Sequence, residues 1–216
     1  MTEKSMIMNR KRNRKQCMVK RYSCLFTAIL ITFLILAVSL SICFTVNADQ
    51  ARALFKLAEE KNLLITEAIW TRYMPSRKMI QDIVESGVIG EVTSLTANLS
   101  YAVTEKERIR KPELAGGALL DVGVYPINFA SMVLGENLKD VQSSAIFEGG
   151  VDILETIIMN FEENKMATLQ SGVREISDRM GSIFGTKGYI QVQNINNPEK
   201  ITVFNQNHEE TASYFP

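Results

Sequence analysis

Residues 24–46 carry no charge, and leucine, isoleucine, phenylalanine, valine and alanine fill most of the run. About 20 such residues cross a bilayer as a helix, so a transmembrane helix is predicted over residues 22–46. The apolar stretch of a cleaved signal peptide is shorter, about 7–15 residues, which makes this run an expected uncleaved anchor. Lys4, Arg10, Lys11, Arg12, Arg14, Lys15, Lys20 and Arg21 precede it. Positive charge stays in the cytoplasm, so the expectation is a single-pass membrane protein with everything beyond residue 47 outside the cytosol. The basic tail, residues 1–21, reads as a solvated segment beside a membrane and not as a nucleic-acid site.

Over the whole chain 24 Lys+Arg balance 24 Asp+Glu, so the part beyond the tail is acidic and offers no field for nucleic acid. Cys17, Cys24 and Cys43 are the only cysteines, all near the N-terminus. The remainder can therefore form no disulfide or thiolate metal site, and one histidine, His208, rules out a histidine-rich metal centre. No metal site is expected.

Beyond the apolar run, residues 48–61 place Ala51, Leu54, Phe55, Leu57 and Ala58 at helical spacing, with Asn47 as N-cap. Residues 63–69 form an apolar run of strand length. A second helix is predicted over 75–86, opened by Pro75 and closed by Gly87. Residues 88–101 alternate as a half-buried strand, and 116–134 are apolar with helical period, ending at Gly135. Short strands follow over 141–147, 153–161, 166–173, 180–184, 189–192 and 201–204, with hairpin turns at Glu163-Asn164-Lys165 and Gly185-Thr186-Lys187-Gly188. Residues 205–216 are polar and show no closing strand. The pattern predicts an α+β fold, a mainly antiparallel sheet with helices on one face.

The chemistry concentrates in Gly116-Gly117-Ala118-Leu119-Leu120-Asp121-Val122-Gly123-Val124-Tyr125-Pro126. Asp121 and Tyr125, four apart, share a face of a helix. A tyrosine serves as acid or base toward an alcohol or carbonyl oxygen once a nearby cation lowers its ordinary pKa of about 10. From spacing alone, a local cap for Asp121 and a core aromatic for Tyr125 is the commoner arrangement.

Residues 111–126 resemble the segment carrying the catalytic Asp and Tyr in dimeric dihydrodiol dehydrogenases, within the Gfo/Idh/MocA family of sugar and diol oxidoreductases. Glu67-Ala68-Ile69-Trp70-Thr71-Arg72 resembles the family's E-A-x-W-T-R segment at the end of its nucleotide-binding domain. Ser86-Gly87-Val88-Ile89-Gly90-Glu91-Val92 resembles its S-G-x-I-G-x-V link, and Gly185-Thr186-Lys187-Gly188 is a fourth match in order. The resemblance implies a CH-OH dehydrogenase using NADP or NAD, with Tyr125 as proton donor and Asp121 assisting it or orienting the substrate. Trp70 would line the substrate pocket and Arg72 reach the same region, although a core or interface role for Trp70 and a surface salt bridge for Arg72 fit the residues as well. A sugar or trans-dihydrodiol is the implied substrate, and a homodimer through the sheet the implied assembly.

The same resemblance implies that residues 47–69 are a helix and strand left from a Rossmann domain and that 70–216 are the C-terminal α+β domain, incomplete at its end. The glycine-rich G-x-G-x-x-G turn that seats a pyrophosphate does not occur before residue 48. The place of the family's E-K-P lysine, the implied cation beside the tyrosine, reads Ser41-Ile42-Cys43-Phe44-Thr45-Val46. The expectation is thus a truncated oxidoreductase joined to a foreign N-terminal stretch and inactive alone, cytoplasmic if that stretch is not native. The alternative is a membrane-anchored binding or dimerisation module.

Overall fold

Helix α1 (Ala48–Glu60) starts as its sequence dictates, with the Asn47 side chain accepting from the Gln50 N–H at 3.0 Å. The computed structural model describes residues 45 and 47–216, so the basic tail, the three cysteines and all of the predicted transmembrane helix but residue 45 lie outside the described residues. Within α1 only Ala58 is buried; Phe55 and Leu57 lie exposed.

Residues 63–69 form no strand, contrary to the expectation from their apolar run, and Leu63 and Leu64 are 66% and 94% exposed. A strand needs a hydrogen-bonded neighbour, and among the described residues none lies beside this segment. The chain instead turns into a 3₁₀ turn, Trp70–Tyr73, then into α2 (Pro75–Glu85), with Pro75 in its first turn and Ile80 and Ile83 buried.

β1 (Val92–Ser100) follows and buries Leu95, Ala97 and Leu99 on alternate positions. A one-turn helix, α3 (Glu107–Arg110), leads through a 3₁₀ turn, Pro112–Leu114, to a widened π-helical turn, Leu119–Gly123, that runs into α4 (Val124–Leu134). Pro126 has no N–H to offer the preceding turn and its ring needs room there, which suits a turn wider than an α-helical one. Pro112–Leu134 is the one stretch among the described residues long and apolar enough to cross a membrane, but α4 packs on β1 and β4 as the core helix.

Seven further strands complete the sheet: β2 (Leu138–Glu148), β3 (Val151–Phe161), β4 (Lys165–Gly172), β5 (Gly181–Gly185), β6 (Gly188–Gln193), β7 (Lys200–Asn205) and β8 (Glu210–Tyr214). The order across the sheet is β2-β3-β4-β1-β5-β6-β7-β8. Every pair is antiparallel except β1 with β4, so the sheet is mixed though mainly antiparallel. β8 corrects the expectation that residues 205–216 carry no closing strand: it pairs with β7, Ile201 opposite Tyr214. Its alternation is weak because an edge strand needs only one buried side.

One face carries the core, including Leu95, Leu99, Ile157, Leu169, Ile183, Ile190, Val192 and Ile201. The other carries polar rows, with Thr156 beside Gln170 and Gln170 beside Asn98. Edge strand β2 is exposed along all 11 of its residues. Residues Thr45–Pro216 make one compact unit.

Candidate active site

The glycines of the motif are fixed by what lies against them. The Gly117 N–H donates to the Ile109 carbonyl at 2.9 Å, and at φ +110° a Cβ there would sit 2.1 Å from Asp152 Oδ1. Only glycine lets the chain pass so close to that carboxylate. Asp152 Oδ2 in turn accepts from the Leu119 N–H at 2.6 Å, tying the start of the π-helical turn to β3.

That docking draws α3 alongside the turn and brings Arg108 to Asp121. A guanidinium nitrogen lies 2.8 Å from Asp121 Oδ1, the Asp121 side chain being 10% exposed and that of Arg108 36%. The guanidinium fixes where the carboxylate points. One turn later, the Tyr125 hydroxyl accepts a hydrogen bond from the Trp70 indole N–H at 3.2 Å. Trp70 comes from 55 positions earlier and is 45% exposed, so its ring forms an open wall beside the phenol.

The short turn that presents Trp70 is latched to α4 by polar contacts. Arg72 Nε donates to Asn128 Oδ1 and an Arg72 Nη donates to Ser131 Oγ at 3.2 Å. Buried Asn128 donates from Nδ2 to Thr71 Oγ1 at 3.0 Å. Tyr125, Asn128 and Ser131 recur at three-residue spacing and so share a side of α4. Arg72 thus bonds neutral groups here and not the carboxylate of a surface salt bridge. Of the four residues singled out in the sequence, Trp70, Arg72 and Tyr125 meet along α4, and Asp121 joins Arg108 one turn before.

Beneath the turn lies Glu155, only 5% exposed, on β3. The Ser171 hydroxyl of β4 donates to its Oε1, and Gly123 passes so near that a Cβ would stand 2.3 Å from that oxygen. Burial pushes the Glu155 carboxyl up to about 7; the Ser171 hydrogen bond opposes this and the charge of Asp152 adds to it. Arg108, Asn128 and Glu155 escaped the sequence reading. Arg108 has a faint signal in the charged run 105–111 just before the motif, and Glu155 a clearer one as an acidic residue on the buried side of an alternating strand.

Among the described residues no group of three or more His, Cys, Asp or Glu side chains could hold a metal ion. The start of α1 does not suit a dinucleotide pyrophosphate, because Asn47 already occupies the Gln50 N–H and Asp49 puts negative charge into the first turn. A cleft of about 230 Å³ lies apart from Trp70 and Tyr125, between Ile109 and Arg110 on one side and Val151, Ile153 and Arg174 on the other.

A family model described as the GFO/IDH/MocA C-terminal domain matches residues 78–191. The chain belongs to the Gfo/Idh/MocA family. Within it, trans-1,2-dihydrobenzene-1,2-diol dehydrogenase of Xenopus tropicalis is 32% identical over 148 residues, covering 68% of this chain and 45% of that protein. D-xylose 1-dehydrogenase (NADP(+)) of Hypocrea jecorina is 34% identical over 174 residues, covering 69% and 44%. The solved structure of a 3-ketoreductase from Actinomadura kijaniata, in complex with NADP and TDP-benzene, superposes with a TM-score of 0.72 at 26% identity, covering 77% of this chain and 54% of that one. The chain spans about half the length of the Gfo/Idh/MocA relatives it matches.

Proposed function

We propose that this chain is the substrate-side part of an NAD(P)-dependent oxidoreductase acting on the CH-OH group of a sugar or trans-dihydrodiol. The observation that carries the reading is the Trp70–Tyr125 hydrogen bond beside the Arg108–Asp121 pair, on a chain of this family. The Tyr125 hydroxyl exchanges a proton with the substrate oxygen, and Asp121, its orientation set by Arg108, accepts a hydrogen bond from a neighbouring substrate hydroxyl. Trp70 forms an apolar wall for a ring, and Arg72 holds that wall in place. The relatives support the substrate class, since their names specify a dihydrodiol and D-xylose. NADP or NAD is the proposed redox partner. The polyol is expected to bind, and because the start of α1 does not suit a pyrophosphate, turnover is not expected from this chain alone.

Trp70 is the one tryptophan in the sequence, so its fluorescence reports on the site directly. Titrating the full chain with D-xylose and with trans-1,2-dihydrobenzene-1,2-diol is expected to give a saturable change that Tyr125→Phe weakens. No response to either compound refutes the substrate reading. Reduction of NADP+ by the unaltered chain refutes the expectation that this chain does not turn over alone.

A second reading, a binding or dimerisation module, is favoured by β2, an edge strand exposed over its full length beside the open polar face of the sheet. Sedimentation of the full chain distinguishes a homodimer through this surface from a monomer. Residues 24–46 as the membrane anchor remain part of that proposal, tested by whether alkaline carbonate extracts the chain from membranes.

A further inference from the structure

Glu155 is the buried ionisable group that the proposed chemistry leaves without a task. It lies on the core face of β3, between Ser171 of β4 and the backbone of Gly123. A hydrophobic side chain would serve the packing there at lower cost, because a buried carboxyl loses its hydration. Gly123 moreover belongs to the turn that carries Asp121 and comes two residues before Tyr125. The space that a Cβ at Gly123 would fill is also 2.9 Å from the Ser171 hydroxyl, so the Glu155–Ser171 pair lies against the last residue of the turn.

We propose that Glu155 is a positioning residue for Asp121 and Tyr125: its carboxyl seats the π-helical turn through Gly123, and gain or loss of a proton reseats that turn and the Trp70–Tyr125 hydrogen bond. The inference rests on the Proposed function only in taking Asp121 and Tyr125 as site residues.

The charged surroundings leave this carboxyl free to change state near neutrality. Asp152 on the same strand adds a like charge. The π-helical turn contributes Asp121, already matched by Arg108. On β4, the hydroxyl of Ser171 is the contact, and Lys165 is paired with Glu163. β2 places Ala145 opposite, with Asp140 further along it and Glu148 bound to Arg174 at its end. From α4 the titratable side chain is Tyr125 itself. Among the described residues no cation faces Glu155 closely enough to hold it ionised, and burial raises its pKa to about 7.

The test follows Trp70 emission in the full chain, without cofactor or substrate, from about pH 5 to about pH 9, with circular dichroism confirming the fold throughout. One inflection near neutrality is expected. Glu155→Gln is expected to abolish it and hold the low-pH signal, since the amide mimics the protonated acid. Ser171→Ala is expected to move it to higher pH, because it removes the bond that favours the ionised form, and Tyr125→Phe to reduce its amplitude. His208→Gln controls for the one histidine and is expected to leave the inflection in place. An unchanged inflection in folded Glu155→Gln, its loss in His208→Gln, or a flat wild-type profile overturns the proposal. Because no ligand is present, this outcome is independent of whether the chain binds a polyol.

Discussion

Glu155→Gln makes a quantitative stability prediction. The folded carboxyl has its pKa raised from 4.5 to about 7, chiefly by burial. At about 1.4 kcal/mol per unit this corresponds to roughly 3.4 kcal/mol, or about 2–3 kcal/mol after discounting residual screening by solvent. The sign follows from the folded state holding its proton more tightly than the unfolded chain does. The associated stability is fully present below about pH 4.5 and is lost as pH rises through about 7. Glu155→Gln has no proton to lose. It should match the wild type near pH 4.5 and exceed it by about 2–3 kcal/mol near pH 8.5. Urea denaturation of the full chain followed by far-ultraviolet circular dichroism, at several pH values, reads this difference. Other carboxylates titrate in both proteins and cancel. Parallel stability profiles for the two proteins would refute the argument, because the buried carboxyl would then have an ordinary pKa.

Gly117→Ala, at a positive φ and against the Asp152 carboxylate, is expected to cost about 1–3 kcal/mol in the same denaturation assay. Arg108→Ala leaves the mostly buried Asp121 carboxylate without its cation; with Arg108 partly exposed, a loss of about 1–2 kcal/mol is expected, together with weaker polyol binding by fluorescence titration. Asn128→Ala strands Thr71 and Arg72, and is expected to cost about 1–3 kcal/mol and to shift Trp70 emission to longer wavelength as the 3₁₀ turn loosens.

Much of the sheet was legible from residue pattern alone, because β3, β4 and β6 each bury alternate side chains and the Glu163-Asn164 and Thr186-Lys187 turns have plain hairpin signals. Apolar character misled at residues 63–69, where a run of strand length finds no partner among the described residues. It also missed β8, whose residues are mostly polar because the strand lies at an edge. The parallel pairing of β1 with β4 has no local signature, since it depends on which strands meet across the whole domain. At the candidate site, the family resemblance singled out Asp121, Tyr125, Trp70 and Arg72, and the structure places Trp70 and Arg72 against α4 and Asp121 against Arg108. Arg108, Asn128 and Glu155 matter through contacts that arise only when α3, α4 and β3 come together.

The placement of β1 also has a kinetic consequence. β2, β3 and β4 are successive hairpins, and so are β5, β6, β7 and β8, so each group can form from contacts close in sequence. β1 joins them, and its partners lie far along the chain: Ser94 pairs with Met166 and Ala97 with Gly181, separations on the order of 70–85 residues. Until β1 inserts, β4 and β5 each present an open edge, the kind of surface on which partly folded chains aggregate. Completion of the sheet therefore depends on a nine-residue strand both of whose partners are made long after it.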